Sequence, residues 1–126
     1  MEKKRYAQIG LGGRAALFYE ALTGEFSDSA ELVALSDRNS GRLVVAMNQV
    51  NARGAHPRGY TDADFETLIR ETRPEVLIVT TKDVYHAEYI CRAMELGCNV
   101  ITEKPMTTDA AKCQRILDTC RRTGRR

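Results

Sequence analysis

The sequence predicts an α/β fold in which a doubly wound parallel sheet is covered by helices on both faces. Short apolar runs alternate along the chain with segments whose apolar residues recur at helical spacing. The run Val76–Val79 is apolar throughout, which is typical of a parallel strand buried on both faces. Repeated strand–helix units favour right-handed crossovers and hence parallel strands. The length of 126 residues is that of one domain.

The first predicted strand, Tyr6–Ile9, is a short apolar run that leads into a glycine-rich turn. Helix one is expected at Ala15–Leu22, and Gly24 is its expected stop because glycine adopts the backbone conformations that end helices. Strand two, Glu31–Ser36, is again largely apolar and ends at Asp37.

The second helix is expected to begin after Asn39 or Ser40, since either side chain can accept a backbone N–H at a helix start. Residues 51–59 contain two glycines and a proline and are predicted to form a loop, with Tyr60 in a very short strand. The predicted buried face of the second helix consists of Leu43, Val44, Met47 and Val50.

The third helix is expected to be capped by Thr61 or Asp62. Strand four is Val76–Val79, and Asp83 is the expected cap of a fourth helix from about Val84 to Leu96. The predicted inner faces of these two helices carry Phe65, Leu68 and Ile69, and then Ala87, Ile90, Cys91 and Met94.

Strand five, Asn99–Thr102, precedes the last helix, for which Thr108 is the expected cap. Ligands of doubly wound folds bind beyond the carboxyl ends of the strands, where the strand order reverses. The glycine-rich and polar segments of this chain follow predicted strand ends, which places them along one edge of the sheet. The predicted apolar face of the last helix is Cys113, Ile116, Leu117 and Cys120.

Composition argues against several classes of protein. Apolar residues make up 43% and charged residues 29%, and no apolar run approaches the ~20 residues of a membrane span. The net charge of +2 comes from arginines clustered at the C-terminus, so neither a nucleic-acid nor a membrane partner is expected. The four cysteines lack metal-site spacing, so no metal site is expected. Without an apolar signal-peptide stretch, a cytoplasmic protein is expected.

The segment Gly10-x-Gly12-x-x-Ala15 lies between strand one and helix one and has the spacing of a dinucleotide-binding loop. Gly10 permits a tight turn, Gly12 lets the backbone approach a pyrophosphate, and Ala15 lets the helix pack closely on the sheet. The helix N-terminus then offers N–H groups to the phosphates. Gly13 adds backbone freedom, and Arg14 is either a phosphate contact or a solvated side chain.

Asp37, at the end of strand two, is expected to accept hydrogen bonds from an adenosine ribose and to repel a 2′-phosphate, which favours NAD over NADP. Arg38 keeps NADP open, because a guanidinium can stack on adenine or pair with a 2′-phosphate. The alternative for Asp37 is a helix cap without a role in binding.

These segments resemble those of the N-terminal domain of the glucose-fructose oxidoreductase/inositol dehydrogenase (Gfo/Idh/MocA) family, and the resemblance covers essentially the whole chain. It implies a Rossmann-type dinucleotide-binding domain over residues 1–126. It also implies an NAD(P)-dependent oxidoreductase that moves hydride between nicotinamide and a sugar, polyol or similar hydroxylated substrate. The segments that carry the resemblance are residues 9–15, 36–38, 59–62, 80–86 and 103–106.

The most specific of these segments is Glu103-Lys104-Pro105. By resemblance, Lys104 would lie beside the nicotinamide as the catalytic proton-transfer group, and Glu103 would contact the nicotinamide ribose. The resemblance also implies a cis peptide before Pro105, at the cofactor site. The alternative for Lys104 is an ordinary surface lysine before a turn.

The segment after strand four departs from the family pattern. By resemblance, Thr80, Thr81 and His86 would line the cofactor. Lys82 and Asp83 replace the proline and asparagine that are usual there, so this loop is expected to differ in shape. The alternative for His86 is a position on the helix surface.

A family member would continue with a further strand and an α+β substrate domain. The sheet is therefore expected to be truncated before its last strand, and the substrate domain to be absent. Such a fragment should bind dinucleotide without turnover, because positioning of the substrate supplies much of catalysis. Its exposed sheet edge favours a homo-oligomer. The alternative function is a non-catalytic dinucleotide sensor or an interaction module.

Overall fold

A computed structural model describes residues 2–126 of the chain. Five parallel strands form one sheet: β1 (Lys4–Ile9), β2 (Ala30–Ser36), β3 (Arg58–Tyr60), β4 (Val76–Val79) and β5 (Asn99–Thr102). Their order across the sheet is β3-β2-β1-β4-β5. The order reverses between β1 and β4, the place where doubly wound sheets bind their ligands.

Helices cover both faces of this sheet, which confirms the predicted fold class. The described helices are α1 (Ala16–Thr23), α2 (Ser40–Asn51), α3 (Phe65–Thr72), α4 (His86–Glu95) and α5 (Ala110–Thr123). One core cluster holds the buried residues of α1 and α2, such as Tyr19 and Val50. The other holds those of α3, α4 and α5, such as Leu68, Met94 and Ile116.

The first three strands extend beyond their predicted ends because parallel pairing tolerates polar residues at a sheet's margin. Lys4 and Arg5 pair with Ala30 and Glu31, although neither basic residue belongs to an apolar run. Residues 58 and 59, predicted as loop, pair with β2 and belong to β3. β4 and β5 have the predicted bounds.

Two helix starts are fixed by side-chain caps. Asn39 caps α2 as predicted, since its Oδ1 accepts the N–H of Arg42 at 3.1 Å. The prediction for α5 was wrong by one position. Asp109, rather than Thr108, caps it, and its Oδ1 accepts the N–H of Lys112 at 2.8 Å.

The predicted caps of α3 and α4 were also wrong. A short 3-10 turn, Asp62–Asp64, precedes α3, and neither Thr61 nor Asp62 caps the helix by a side-chain hydrogen bond. A second 3-10 turn, Asp83–Tyr85, precedes α4, so Asp83 begins a turn rather than capping a helix. Because of these turns, each helix begins later in the sequence than predicted. The turns also place Asp62, Asp83 and Tyr85 near the carboxyl ends of the strands.

The buried faces of α2 and α5 are narrower than predicted. Val44 is 57% exposed and Leu117 is 43% exposed, whereas Ala46 and Thr119 are buried. Each helix packs on one side only, so apolar residues at the margin of the stripe face outward. The predicted inner faces of α3 and α4 are buried.

The last residue returns to the edge strand β5. The N–H of Val100 donates to the backbone oxygen of Arg126 at 2.6 Å, and the N–H of Arg126 donates to Asn99 Oδ1 at 3.0 Å. The edge that was expected to be unpaired therefore has a backbone partner at one position, while Ile101 remains 44% exposed. None of the helices described in residues 2–126 is long and apolar enough to cross a membrane.

Candidate functional site

The glycine-rich loop crosses the carboxyl end of the sheet in close contact with the segment after β4. Gly10 has φ +90°, and a Cβ placed on it would lie 2.5 Å from the backbone nitrogen of Thr81. Its N–H donates to the carbonyl of Ser36 at 2.9 Å, and its carbonyl accepts from the Thr80 hydroxyl. Only glycine fits this position, because both the positive φ and the close approach exclude a side chain.

The next part of the loop presents backbone donors to open space. Within residues 2–126, the N–H groups of Gly12, Gly13 and Arg14 have no hydrogen-bond acceptor. A Cβ on Gly13 would meet no atom within 4 Å, and one on Gly12 would meet only Arg42 Nη1, at 3.9 Å. Unpaired donors at the start of α1 suit an anion, so this loop fits the pyrophosphate of a dinucleotide.

Asp37 links the end of β2 to the glycine-rich loop. It is only 6% exposed, and its Oδ2 accepts the N–H of Leu11 at 2.6 Å. Its Oδ1 accepts the N–H of Asn39 at 2.6 Å. The alternative of a helix cap was wrong, because Asn39 caps α2. The expected contact between Asp37 and a ribose stays a prediction.

The Glu-Lys-Pro segment after β5 also contacts the glycine-rich loop. Glu103 Oε2 lies 3.5 Å from Arg14 Nε, and Glu103 Oε1 accepts the N–H of Lys104 at 3.2 Å. The guanidinium of Arg14 thus pairs with a carboxylate across the site. The Lys104–Pro105 peptide bond is cis, as the family resemblance implies.

His86 lies behind the wall of the site. Its side chain is fully buried, with Nδ1 2.9 Å from the carbonyl oxygen of Pro105 and Nε2 2.9 Å from that of Thr81. A helix-surface position is therefore excluded. Because each ring nitrogen faces a carbonyl, this imidazole links the loop after β4 to the loop after β5.

One cleft of about 630 Å³ joins these loops over the carboxyl ends of β1 and β4. Three predicted site residues, Ala15, His86 and Pro105, are not in its lining. The predicted residues that line it are Gly10, Gly12, Gly13, Arg14, Asp37, Arg38, Thr80, Thr81, Glu103 and Lys104. These ten predicted residues therefore form part of one continuous surface.

Side chains from the helix starts also line the cleft and were missed as site residues. Asn39 and Arg42 come from the start of α2, and Tyr85 and Tyr89 come from the turn before α4 and from α4 itself. The sequence could have indicated these residues, because helices that follow parallel strands begin near the carboxyl ends of those strands, where the site lies.

Charge is concentrated where Arg38 meets the two 3-10 turns. Its Nε donates to Asp62 Oδ2 at 3.1 Å, and its Cζ lies 4.9 Å from the centroid of the Tyr85 ring. Hydrogen bonds to Tyr85 and Asp62 raise the pKa of Arg38 above its ordinary value, so the guanidinium stays charged. Burial, reinforced by the charge of Asp62, raises the pKa of Tyr89 and keeps its phenol neutral.

Known proteins match this chain in sequence and in fold. The profile of the Gfo/Idh/MocA oxidoreductases, described as an NAD-binding Rossmann fold, matches residues 4–126. An inositol 2-dehydrogenase of Klebsiella pneumoniae is 34% identical over 94% of this chain. The chain spans about a quarter to a third of the length of the curated relatives it matches.

Two solved structures extend the similarity to the fold. The WlbA dehydrogenase of Chromobacterium violaceum, solved with NADH and UDP-GlcNAcA, superposes with a TM-score of 0.87 at 26% identity, over 98% of this chain and 33% of its own. KijD10, a 3-ketoreductase of Actinomadura kijaniata solved with NADP, gives 0.78 at 27% identity, over 98% of this chain and 37% of its own. With the family profile matching nearly its full length, the chain belongs to the Gfo/Idh/MocA oxidoreductase family, as its NAD-binding Rossmann-fold domain.

Proposed function

We propose that residues 1–126 are the dinucleotide-binding domain of an oxidoreductase that transfers hydride between nicotinamide and a sugar, polyol or similar hydroxylated substrate. The observation that carries the proposal is a single cleft that unites the open glycine-rich loop with Lys104. A bound NAD(P) would supply the hydride acceptor or donor. Substrate binding is assigned to a further domain, since the relatives are three to four times longer than this chain.

The residues of the cleft have separable roles in this proposal. The N–H groups of Gly12 and Gly13 bind the pyrophosphate, and Asp37 accepts hydrogen bonds from the adenosine ribose. Lys104 exchanges a proton with the substrate hydroxyl as hydride moves, since an amine beside the reacting carbon can act as a general acid or base. Glu103 holds the segment of Lys104 against Arg14.

The proposed substrate class is supported by the proteins that resemble this chain. The Klebsiella pneumoniae relative is an inositol 2-dehydrogenase, and the WlbA dehydrogenase was solved with UDP-GlcNAcA. Inositol and the sugar of UDP-GlcNAcA are both polyhydroxylated six-membered rings. A hydroxylated ring compound is therefore the proposed substrate of the complete protein.

Self-association and a cytoplasmic location complete the proposal. The edge strand β5 has one backbone partner at Val100 and an exposed Ile101, and an edge of this kind can pair with a second copy. The four cysteines are free thiols, which suits a reducing compartment.

A binding titration tests the proposal. Saturable quenching or enhancement of NADH fluorescence is expected for the wild type, and Gly12→Val should abolish it because the new side chain projects into the open cleft. Gly59→Val is the matched control, since Gly59 lies in β3 outside the cleft and the atom nearest to a Cβ there belongs to the Leu43 side chain, at an ordinary contact distance of 3.5 Å. Equal NADH affinity in wild type and Gly12→Val, with both folded, would contradict the proposal.

A further inference from the structure

Two neighbouring residues at the β2 end of the cleft bear on which dinucleotide it accepts. Asp37 is buried, and both of its carboxylate oxygens accept backbone N–H groups, so its side chain is held in place within the wall. Arg38 follows directly and lines the same cleft with an exposed guanidinium. A guanidinium here can bind the 2′-phosphate of NADP, whereas NAD has only a hydroxyl at that atom.

The guanidinium of Arg38 is engaged by two other segments. Nε donates to Asp62 Oδ2 at 3.1 Å, from the turn before α3. Nη1 lies 3.5 Å from the hydroxyl of Tyr85, and Cζ lies 4.9 Å from the centroid of that ring, in the turn before α4. Arg38 is thus held between a carboxylate and an aromatic ring, and both of these side chains also line the cleft.

We propose that Asp62 is a specificity-determining residue that favours NAD over NADP by engaging Arg38. The carboxylate occupies the Nε–H that a 2′-phosphate would otherwise accept, and its negative charge offsets the positive charge of the guanidinium. This inference rests on the proposed function, because it requires a dinucleotide whose adenosine ribose lies near Asp37. Asp62 acts through Arg38, so its effect should disappear when Arg38 is removed.

Another cation of the cleft, Arg42, is expected to contribute equally to the binding of NAD and NADP. Arg42 projects from the first turn of α2, and its Nη1 is the nearest atom to the position of a Cβ on Gly12. It therefore lies toward the pyrophosphate end, which NAD and NADP share. Because Asp62 pairs with Arg38 and not with Arg42 in the described residues, a change at Asp62 should alter the affinity for NADPH and leave that for NADH nearly unchanged.

Fluorescence titrations of a double-mutant cycle test the inference. Dissociation constants for NADH and NADPH are measured for the wild type, Asp62→Asn, Arg38→Ala and the double variant. Asp62→Asn should tighten NADPH binding by about threefold to fivefold, the upper part of the range for an exposed ion pair, and change NADH binding by less than about twofold. In the Arg38→Ala background the same substitution should give no such gain.

Asp64→Asn is the matched control. Asp64 lies in the same 3-10 turn but outside the cleft lining, where its carboxylate accepts from the Thr61 hydroxyl at 3.4 Å, so both affinities should stay unchanged. An NADPH gain that persists without Arg38 would overturn the inference, and so would an equal shift for NADH and NADPH. Failure of the wild type to bind either nucleotide would instead refute the proposed function, and this inference with it.

Discussion

At the scale of single residues, two glycines of the glycine-rich loop contribute to the site in different ways. Gly10 has a positive φ and lies against Thr81, while Gly13 lies in open space with an ordinary backbone conformation. Two glycines of one loop therefore have different physical roles. The first allows the loop to pack against the segment after β4, and the second leaves the cleft open.

Substitution of these two glycines should separate the roles. Gly10→Ala is expected to lower the free energy of unfolding by at least about 1–3 kcal/mol, because it combines a strained φ with a backbone clash. Gly13→Ala should leave stability within about 0.5 kcal/mol, since its Cβ would meet no atom within 4 Å. Urea unfolding measures both, and equal losses for the two variants would refute this distinction.

His86 is the residue for which sequence reasoning and structure differ most. The family resemblance assigned it to the lining of the cofactor site, yet its ring is fully buried between the carbonyls of Thr81 and Pro105. The position of a histidine in the sequence pattern is the same whether its ring lines a cleft or is buried behind the cleft wall. The sequence could not distinguish them, because the difference depends on how two loops meet.

His86→Leu should therefore destabilise the fold. The substitution removes the imidazole N–H that donates to the carbonyl of Thr81 or Pro105 and replaces a fully buried polar ring, and the expected loss in free energy of unfolding is about 1–3 kcal/mol. His86→Gln can keep one donor and should lose less. The measurement is denaturant unfolding of both variants, and wild-type stability in His86→Leu would show that the two contacts do not hold the loops.

At the scale of elements, the strands were predictable and several helix starts were not. β4 and β5 have the predicted bounds because a short apolar run between turn residues permits little else. The starts of α3 and α4 were misplaced, since a 3-10 turn and a capped α-helical start have similar polar residues. Those turns bring Asp62 and Tyr85 into the cleft, so the error in secondary structure concealed site residues.

The corrected start of α5 gives a prediction for this element. Asp109→Ala should lower the free energy of unfolding by about 0.5–2 kcal/mol, because it removes the acceptor of the Lys112 N–H. Thr108→Ala, one position earlier, should have little effect. Thermal or urea unfolding compares the two, and a larger loss in Thr108→Ala would restore the cap that the sequence suggested.

At the scale of the whole molecule, the strand order decides where the site lies. Reversal of the order between β1 and β4 leaves a crevice at their carboxyl ends, and the loops after β1, β2, β4 and β5 converge there. The sequence predicted this convergence because each candidate segment followed a strand. It did not predict Arg42 or Tyr89, whose approach depends on how α2 and α4 cross the sheet.

The outer edge of the sheet gives a prediction on assembly. Sedimentation velocity over a dilution series should show self-association, because β5 is an edge strand with an exposed Ile101. Ile101→Lys should weaken the association, since a charge on an edge strand opposes pairing with a second copy. A wild-type protein that is monomeric at every concentration would contradict the proposed homo-oligomer.

The central claim is that the cleft at the carboxyl ends of the strands binds a dinucleotide. An NMR titration of the isotope-labelled protein with NADH tests it most directly, because it locates the ligand as well as detecting it. Amide shifts are expected for residues 10–14, 80–82 and 103–104, and not for the groove at the opposite ends of the strands, which Leu22, Arg53 and His56 line. Shifts confined to that opposite groove, or no shifts at saturating NADH, would contradict the account.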